Sequence, residues 1–168
     1  MRVWRTIAVG ALLLIIAGGF WLRWKAGEPR RFALQTLGQL DAALRTGNSA
    51  DLLKLICTPA AIQGRTAPEQ AQFLTKALAD EISPEGLVVL QRQGTFGPLT
   101  NVFPAEAEKW AKQAGVRAED CVAFKLERRG LCAEVVLAQD SALRTPHSPS
   151  RIVRCNHVRQ MAMNSNHE

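Results

Sequence analysis

Residues 121–138 place the tightest constraint on the fold. Val122, Phe124 and Leu126 alternate with Ala123, Lys125 and Glu127. After Arg129 and Gly130 the alternation resumes, with Leu131, Ala133, Val135 and Leu137 set against Cys132, Glu134 and Val136. A period of two is the mark of a strand with one buried face. A two-residue turn at 129–130 sets Arg128 opposite Leu131. It then opposes Val122 to Leu137, Phe124 to Val135 and Leu126 to Ala133, three apolar pairs on one face. On the other face Lys125 meets Glu134, a complementary charge pair. A slip of one residue would turn the apolar set outward, so packing and charge specify one antiparallel register.

The rest of the chain supplies helices for that hairpin to pack on. Ala33, Leu37, Leu40 and Leu44 recur at helical spacing over 32–46, and Gly47 follows as a stop. Asn48 or Ser49 caps a short second helix that carries Leu52, Leu53, Leu55 and Ile56 and ends before Pro59. Thr66 and Glu69 form a capping-box pattern that opens a third helix, with Gln70, Leu74, Ala77, Leu78 and Ile82 towards its buried side. Residues 86–92 contain Leu87-Val-Val-Leu90, an apolar, β-branched run that predicts a strand. Residues 94–98 predict a loop. Pro104 fits the first position of a helix carrying Trp110, Ala111 and Ala114 and stopping at Gly115.

Residues 139–150 are polar and Pro-punctuated, a loop. Residues 151–161 predict a last strand, with Val153, Cys155 and His157 on one face and Ile152, Arg154, Asn156 and Val158 on the other. Neither face is cleanly apolar, which suits an edge strand or a cavity wall. Three helices, a strand, a helix and three antiparallel strands make an α+β domain over 32–162, followed by a frayed tail at 163–168.

A second feature sets location. Thr6 to Leu22 is a run of 17 residues without a charge, flanked by Arg2 and Arg5 on one side and by Arg23, Lys25, Arg30 and Arg31 on the other. As a helix it spans about 26 Å, close to the roughly 30 Å of a bilayer core. Trp4, Trp21 and Trp24 lie at its ends, where amphipathic aromatics prefer the headgroup level. A cleaved secretory signal shares the basic start but wants a small-x-small site, and Arg23-Trp24-Lys25 follows instead. A buried core helix seldom has a run this long with Trp and Arg at both ends. The pattern therefore predicts an uncleaved signal-anchor over 1–31 whose bilayer contact is 6–22. The expected architecture is an N-terminal transmembrane helix followed by helices packed on a curved antiparallel sheet. A basic N-terminal tail before an apolar run is the common bacterial export start. That places the chain in a bacterial inner membrane, single-pass, with the domain in the periplasm. The heavier basic flank lies after the run and argues the other way.

Charge and cysteine usage bound the partners. Of 21 basic and 15 acidic residues, six basic and one acidic precede Phe32, so the formal +6 falls to about +1 beyond it. A nucleic-acid-binding domain carries its own basic stripe, so nucleic acid is not an expected partner. The spacing of Cys57, Cys121, Cys132 and Cys155 matches no zinc pattern. In the hairpin register Cys121 meets Ala138 and Cys132 meets Glu127, too far apart to bond each other. Cys57 and Cys155 remain as disulfide partners for an exported domain.

Reaction centres are hard to find. Cys155-Asn156-His157 puts a thiol and an imidazole some 6–7 Å apart on one strand with no third orienting group. The carboxylates Asp80, Glu81, Glu106, Glu108, Glu119 and Asp120 fall at helix ends or surfaces, and Asp140 starts a loop. No glycine motif for phosphate occurs. No catalytic residue, metal ligand or cofactor is implied. Trp110, Phe124, Asn156 and His157 are the candidates to line a pocket.

The opening helix ending in Leu44-Arg-Thr-Gly-Asn48, the 52–59 segment and the late hairpin with its returning strand at Arg151 resemble the nuclear transport factor 2-like group, also called cystatin-like or SnoaL-like α+β cones. The resemblance covers 32–160 as element order. It implies a curved sheet wrapped by helices, often around an apolar pocket, and no particular reaction. Two functions follow as expectations. One is a non-enzymatic interaction or assembly module, anchored in the bilayer and serving an unidentified protein partner. The alternative is a binder of a small apolar ligand, or a pocket enzyme of the SnoaL-like kind.

Overall fold

The computed structural model describes residues 27–57, 62–128, 131–139 and 150–159. The apolar run at 6–22, the turn at 129–130, Asp140, His147 and the tail lie outside those residues. Among the described residues no helix is long and apolar enough to cross a membrane.

Helix α1 runs through 27–46 and buries Ala33, Leu37, Leu40 and Ala43 along one stripe. Gly47 ends it at φ 66°, a left-handed conformation that costs glycine little. Asn48 caps α2 (Ser49–Leu55) by accepting from the Asp51 N–H. Ile56 then forms a parallel bridge to Ile152, and the Cys57 N–H donates to the Ile152 carbonyl at 2.8 Å. Helix α3 (Ala67–Glu81) opens as its sequence predicts, with the Thr66 N–H donating to the Glu69 carboxylate at 2.9 Å. Its buried stripe is Ala71, Leu74 and Leu78, while Ala77 faces solvent.

The expected strand at 86–92 is instead helix α4 (Pro84–Gln93). Ser83 accepts from the Gly86 N–H at 3.0 Å, Pro84 occupies the first turn, and Gly94 closes the other end. Only Leu87 and Leu90 of the Leu-Val-Val-Leu run are buried; Val88 is 41% exposed. Burying the two leucines contributes about 1.5–3 kcal/mol each, against a few tenths lost to valine's stiff χ1 in a helix. The start signal and the i, i+3 leucines outweigh β propensity.

The segment expected as a loop is strand β1 (Thr95–Pro98), and a short helix α5 (Leu99–Val102) follows it. β1 forms because Phe96 turns inward onto Phe124, ring centroids 4.8 Å apart. Pro98 lies at the end of an edge strand, where its missing N–H costs no ladder bond. The helix expected from Pro104 begins later, as α6 (Ala107–Gln113), and Gly115 at φ 69° ends the turn beyond it.

A 3₁₀ turn at Ala118–Asp120 leads into β2 (Cys121–Arg128), which pairs with β3 (Leu131–Ala138). The register is the expected one at every position, from Cys121 opposite Ala138 to Arg128 opposite Leu131. β4 (Arg151–Asn156) completes a four-stranded antiparallel sheet in the order β1-β2-β3-β4. It is shorter than expected and irregular: the β3–β4 register shifts between Val136 and Leu137. A bulge there leaves Ile152 and Cys155 opposite Leu137 and Val135, with Arg154 and Asn156 opposite Val136 and Glu134. One extra residue thus resolves the mixed faces of the sequence pattern.

The fold is α+β, with helices on both faces of the sheet. Phe124, Val135, Leu137 and Ile152 face α1–α4 in a first core, which also takes in Val158. Cys121, Ala123, Val136 and Ala138 face Leu99, Phe103, Ala107 and Ala111 in a second.

Candidate functional site

The second face of the sheet is only half covered. Beyond Ala123 and Val136, small and apolar under α6, the next positions are Thr95, Lys125, Glu134 and Asn156, one from each strand. Glu134 is the buried member at 6% exposure. Its Oε1 accepts from Arg154 Nε at 2.6 Å and from Asn156 Nδ2 at 3.3 Å. The Arg154 guanidinium also lies 4.8 Å from the Trp110 ring centroid. Trp110 packs tilted on Phe103 at 5.0 Å, and Lys125 Nζ stands 5.5 Å from the Phe103 ring. Lys125 and Glu134 are register partners, as the sequence predicts, yet each has its ion pair elsewhere. Lys125 binds Glu127 at 2.9 Å and Glu134 binds Arg154. The hydrogen bond to Glu127 raises Lys125 above the ordinary lysine value.

Arg154 over Trp110 ties α6 to β4, Lys125 over Phe103 ties the segment before α6 to β2, and the nearly buried Glu134–Arg154 pair joins β3 to β4. Removing one member of such a pair strands a charge, so the set acts as a unit. Beside it a groove of 530 Å³ follows the β1 edge, walled by Gln93, Thr95, Phe96, Asn101, Val102 and Glu127 and sharing Lys125 with the cluster. Cluster and groove together form a polar, indented part of the described surface.

The residues expected to line one pocket do not converge. Phe124 is fully buried in the first core, whereas Trp110 packs on the opposite face of the sheet. Asn156 belongs to the Glu134 cluster. His157 lies past the end of β4 at φ 56°, exposed, with its backbone N–H donating to Glu81 Oε2 at 2.8 Å. Cys155 and His157 do not share a strand face either: β4 ends at Asn156 and His157 takes a left-handed backbone, while Cys155 packs against the first core. Burial pushes the Cys155 thiol up to about 12, with Glu81 adding to the shift, away from the thiolate a nucleophile needs.

None of the four cysteines is in a disulfide, so the expected Cys57–Cys155 bond is not formed. The Cys57 N–H bonds the Ile152 carbonyl, and Cys155 lies three residues farther along an extended strand. That offset exceeds the roughly 7 Å between Cα atoms that a disulfide can span. The Cys121 thiol, buried in the second core, is pushed up to about 11 by burial first and by nearby Cys57 and Asp120 after it. Among the described residues no group of three or more His, Cys, Asp or Glu side chains is placed to hold a metal ion.

Comparison with protein-family models, with curated proteins and with solved structures gives no match. The site therefore has to be read from its own residues. Sequence reasoning missed Glu134 and Arg154 as partners because their contact depends on the bulge. The signal was present all the same: a strand with no clean apolar face is what a bulge does to a pattern of period two.

Proposed function

We propose that this chain is a membrane-tethered, non-enzymatic α+β domain of the exported compartment, acting as an interaction or assembly module for a protein partner. The tether is the uncharged run at 6–22, read as an uncleaved transmembrane helix of a bacterial inner membrane, with the domain in the periplasm. The observation that carries the module reading is the filled space between sheet and helices. Phe124, Leu137, Ile152, Leu37 and Leu40 are all at most 1% exposed in the first core. In the nuclear transport factor 2-like group, which the chain resembles in element order, that space often holds the ligand. Here side chains occupy it. The ion pairs of Lys125 and Glu134 and the raised Cys155 thiol further support a binding surface over a reaction centre.

A reporter active only outside the cytoplasm, fused after Glu168, tests sidedness, and the expected result is activity. An inactive fusion, with the complementary cytoplasmic reporter active, overturns the exported placement. An intact mass lacking about the first 25 residues would remove the tether itself.

A further inference from the structure

The two edges of the sheet differ. Along β4, Ile56 forms its parallel bridge to Ile152 and the Cys57 N–H bonds the Ile152 carbonyl. Among the described residues β1 pairs with β2 alone, so its outer edge is open. The geometry points to β1 as the docking edge for an extended, uncharged segment of a protein partner, which adds a strand to the sheet along the groove. This rests on the module reading above, independently of the tether, and says which part of a partner the module grips. An edge strand turns unpaired N–H and C=O groups outward, and a further strand can pair with them. Open edges are commonly blunted by charge, proline or a bulge. No residue of β1 is charged, and its register on β2 is unbroken from Thr95 opposite Lys125 to Pro98 opposite Val122. Pro98 stands last, so Thr95, Phe96 and Gly97 keep their N–H groups.

The lining of the groove sets the chemistry of the occupant. Its 530 Å³ falls within the roughly 300–1,000 Å³ of ligand sites. Gln93, the last residue of α4, and Asn101, in α5, flank β1 in sequence, and both are exposed. A carboxamide donates and accepts, as a peptide group does. The groove's one cation, Lys125, and its one anion, Glu127, are paired with each other at 2.9 Å. The lining therefore offers no unpaired charge to a phosphate or an acidic ligand. Successive residues of β1 face opposite sides of the sheet. An added strand meets Phe96 and Leu126 with one alternate set of side chains and Thr95 and Lys125 with the other, which calls for apolar and neutral polar residues in alternation. A neutral oligosaccharide is the rival for the two carboxamides, but sugars stack on open aromatic faces. The Phe96 ring is turned onto Phe124, centroids 4.8 Å apart.

The test uses full-length, isotope-labelled protein in phosphatidylcholine nanodiscs, titrated to millimolar concentration with the neutral peptide acetyl-Thr-Val-Thr-Val-Thr-amide and followed by amide NMR shifts. Saturable shifts are expected at Thr95, Phe96 and Gly97. They should fall several-fold with the same peptide N-methylated along its backbone, which removes the strand's donors. They should fall as far in Asn101→Trp protein whose circular dichroism melt is unchanged, because the indole fills the groove. Equal shifts with the N-methylated peptide, edge shifts with maltohexaose in place of the peptide, shifts confined to another surface, or none at all would overturn the edge site. Each of those results leaves the module reading standing; that reading fails separately, if the protein crosslinked in its own cells runs only as a monomer.

Discussion

Gly86 offers a prediction whose sign separates packing from propensity. It lies in the first turn of α4, where glycine to alanine ordinarily stabilises a helix by about 0.5–1 kcal/mol. A Cβ built at Gly86 would meet the Val158 carbonyl oxygen at 1.9 Å and its carbonyl carbon at 2.8 Å. Those atoms are backbone, so no rotamer change relieves the overlap. Either α4 or the 157–159 segment must shift by more than 1 Å, and Val158 is fully buried. Releasing Val158 forfeits about 1.5–2 kcal/mol of burial, and strain of this kind costs about 1–3 kcal/mol. Net of the helix gain, Gly86→Ala should destabilise by about 1.5–4.5 kcal/mol. For a domain of this size that is a fall in Tm of roughly 5–18 °C. Gly38→Ala is the matched control, a helical glycine with nothing within 4 Å of its Cβ position, and should raise Tm slightly. Thermal melts of the three full-length proteins by circular dichroism decide the matter. A Gly86→Ala protein melting at or above wild type would refute the close approach of α4 to Val158.

Three further outcomes are expected. Arg154→Met leaves the Glu134 carboxylate nearly buried without its cation and should cost about 1–3 kcal/mol in urea unfolding; adding Glu134→Gln should recover part of that loss, and additive losses would break the pairing. His157→Gly should raise stability by about 0.5–1 kcal/mol, because φ 56° strains a residue with a Cβ; a lower Tm would mean that the imidazole makes a contact worth more than the strain. The Thr66 backbone N–H, and then its hydroxyl, hold the Glu69 carboxyl below its ordinary 4.5. A lowered folded value adds stability that is present above that pH and lost as pH falls through it, so Glu69→Gln should flatten the acid limb of a melting-versus-pH curve below about pH 4.5. An acid limb identical in both proteins would count against the capping box.

The hairpin was fully legible in the sequence because three apolar pairs and a charge pair all demanded one register. Where local signals competed, the outcome depended on neighbours. Leu87-Val-Val-Leu90 reads as a strand by composition, and only the Ser83-Pro84-Glu85 start and burial at positions 87 and 90 make it a helix. Thr95–Pro98 has too few residues to show alternation, so β1 exists through Phe96 packing on Phe124 rather than through its own pattern. The candidate site was the least legible part. Trp110 and Phe124 looked like companions in sequence, yet the sheet stands between them. Glu134 and Arg154 meet only because Val153 is an extra residue in its strand.

The parallel bridge from Ile56 to Ile152 and the burial of Val158 under Gly86 set the order in which the chain can mature. Helices α1 to α4 emerge from the ribosome long before β4, and synthesis proceeds at about 5–20 residues per second. The roughly 65 residues between Gly94 and Arg159 therefore take some seconds to follow. Throughout that interval the leucine stripe of α1 and the inner faces of α3 and α4 lack the sheet that will cover them. A growing chain of this design must be sheltered until its last strand arrives, and truncation before Val158 should yield an aggregation-prone product rather than a smaller domain.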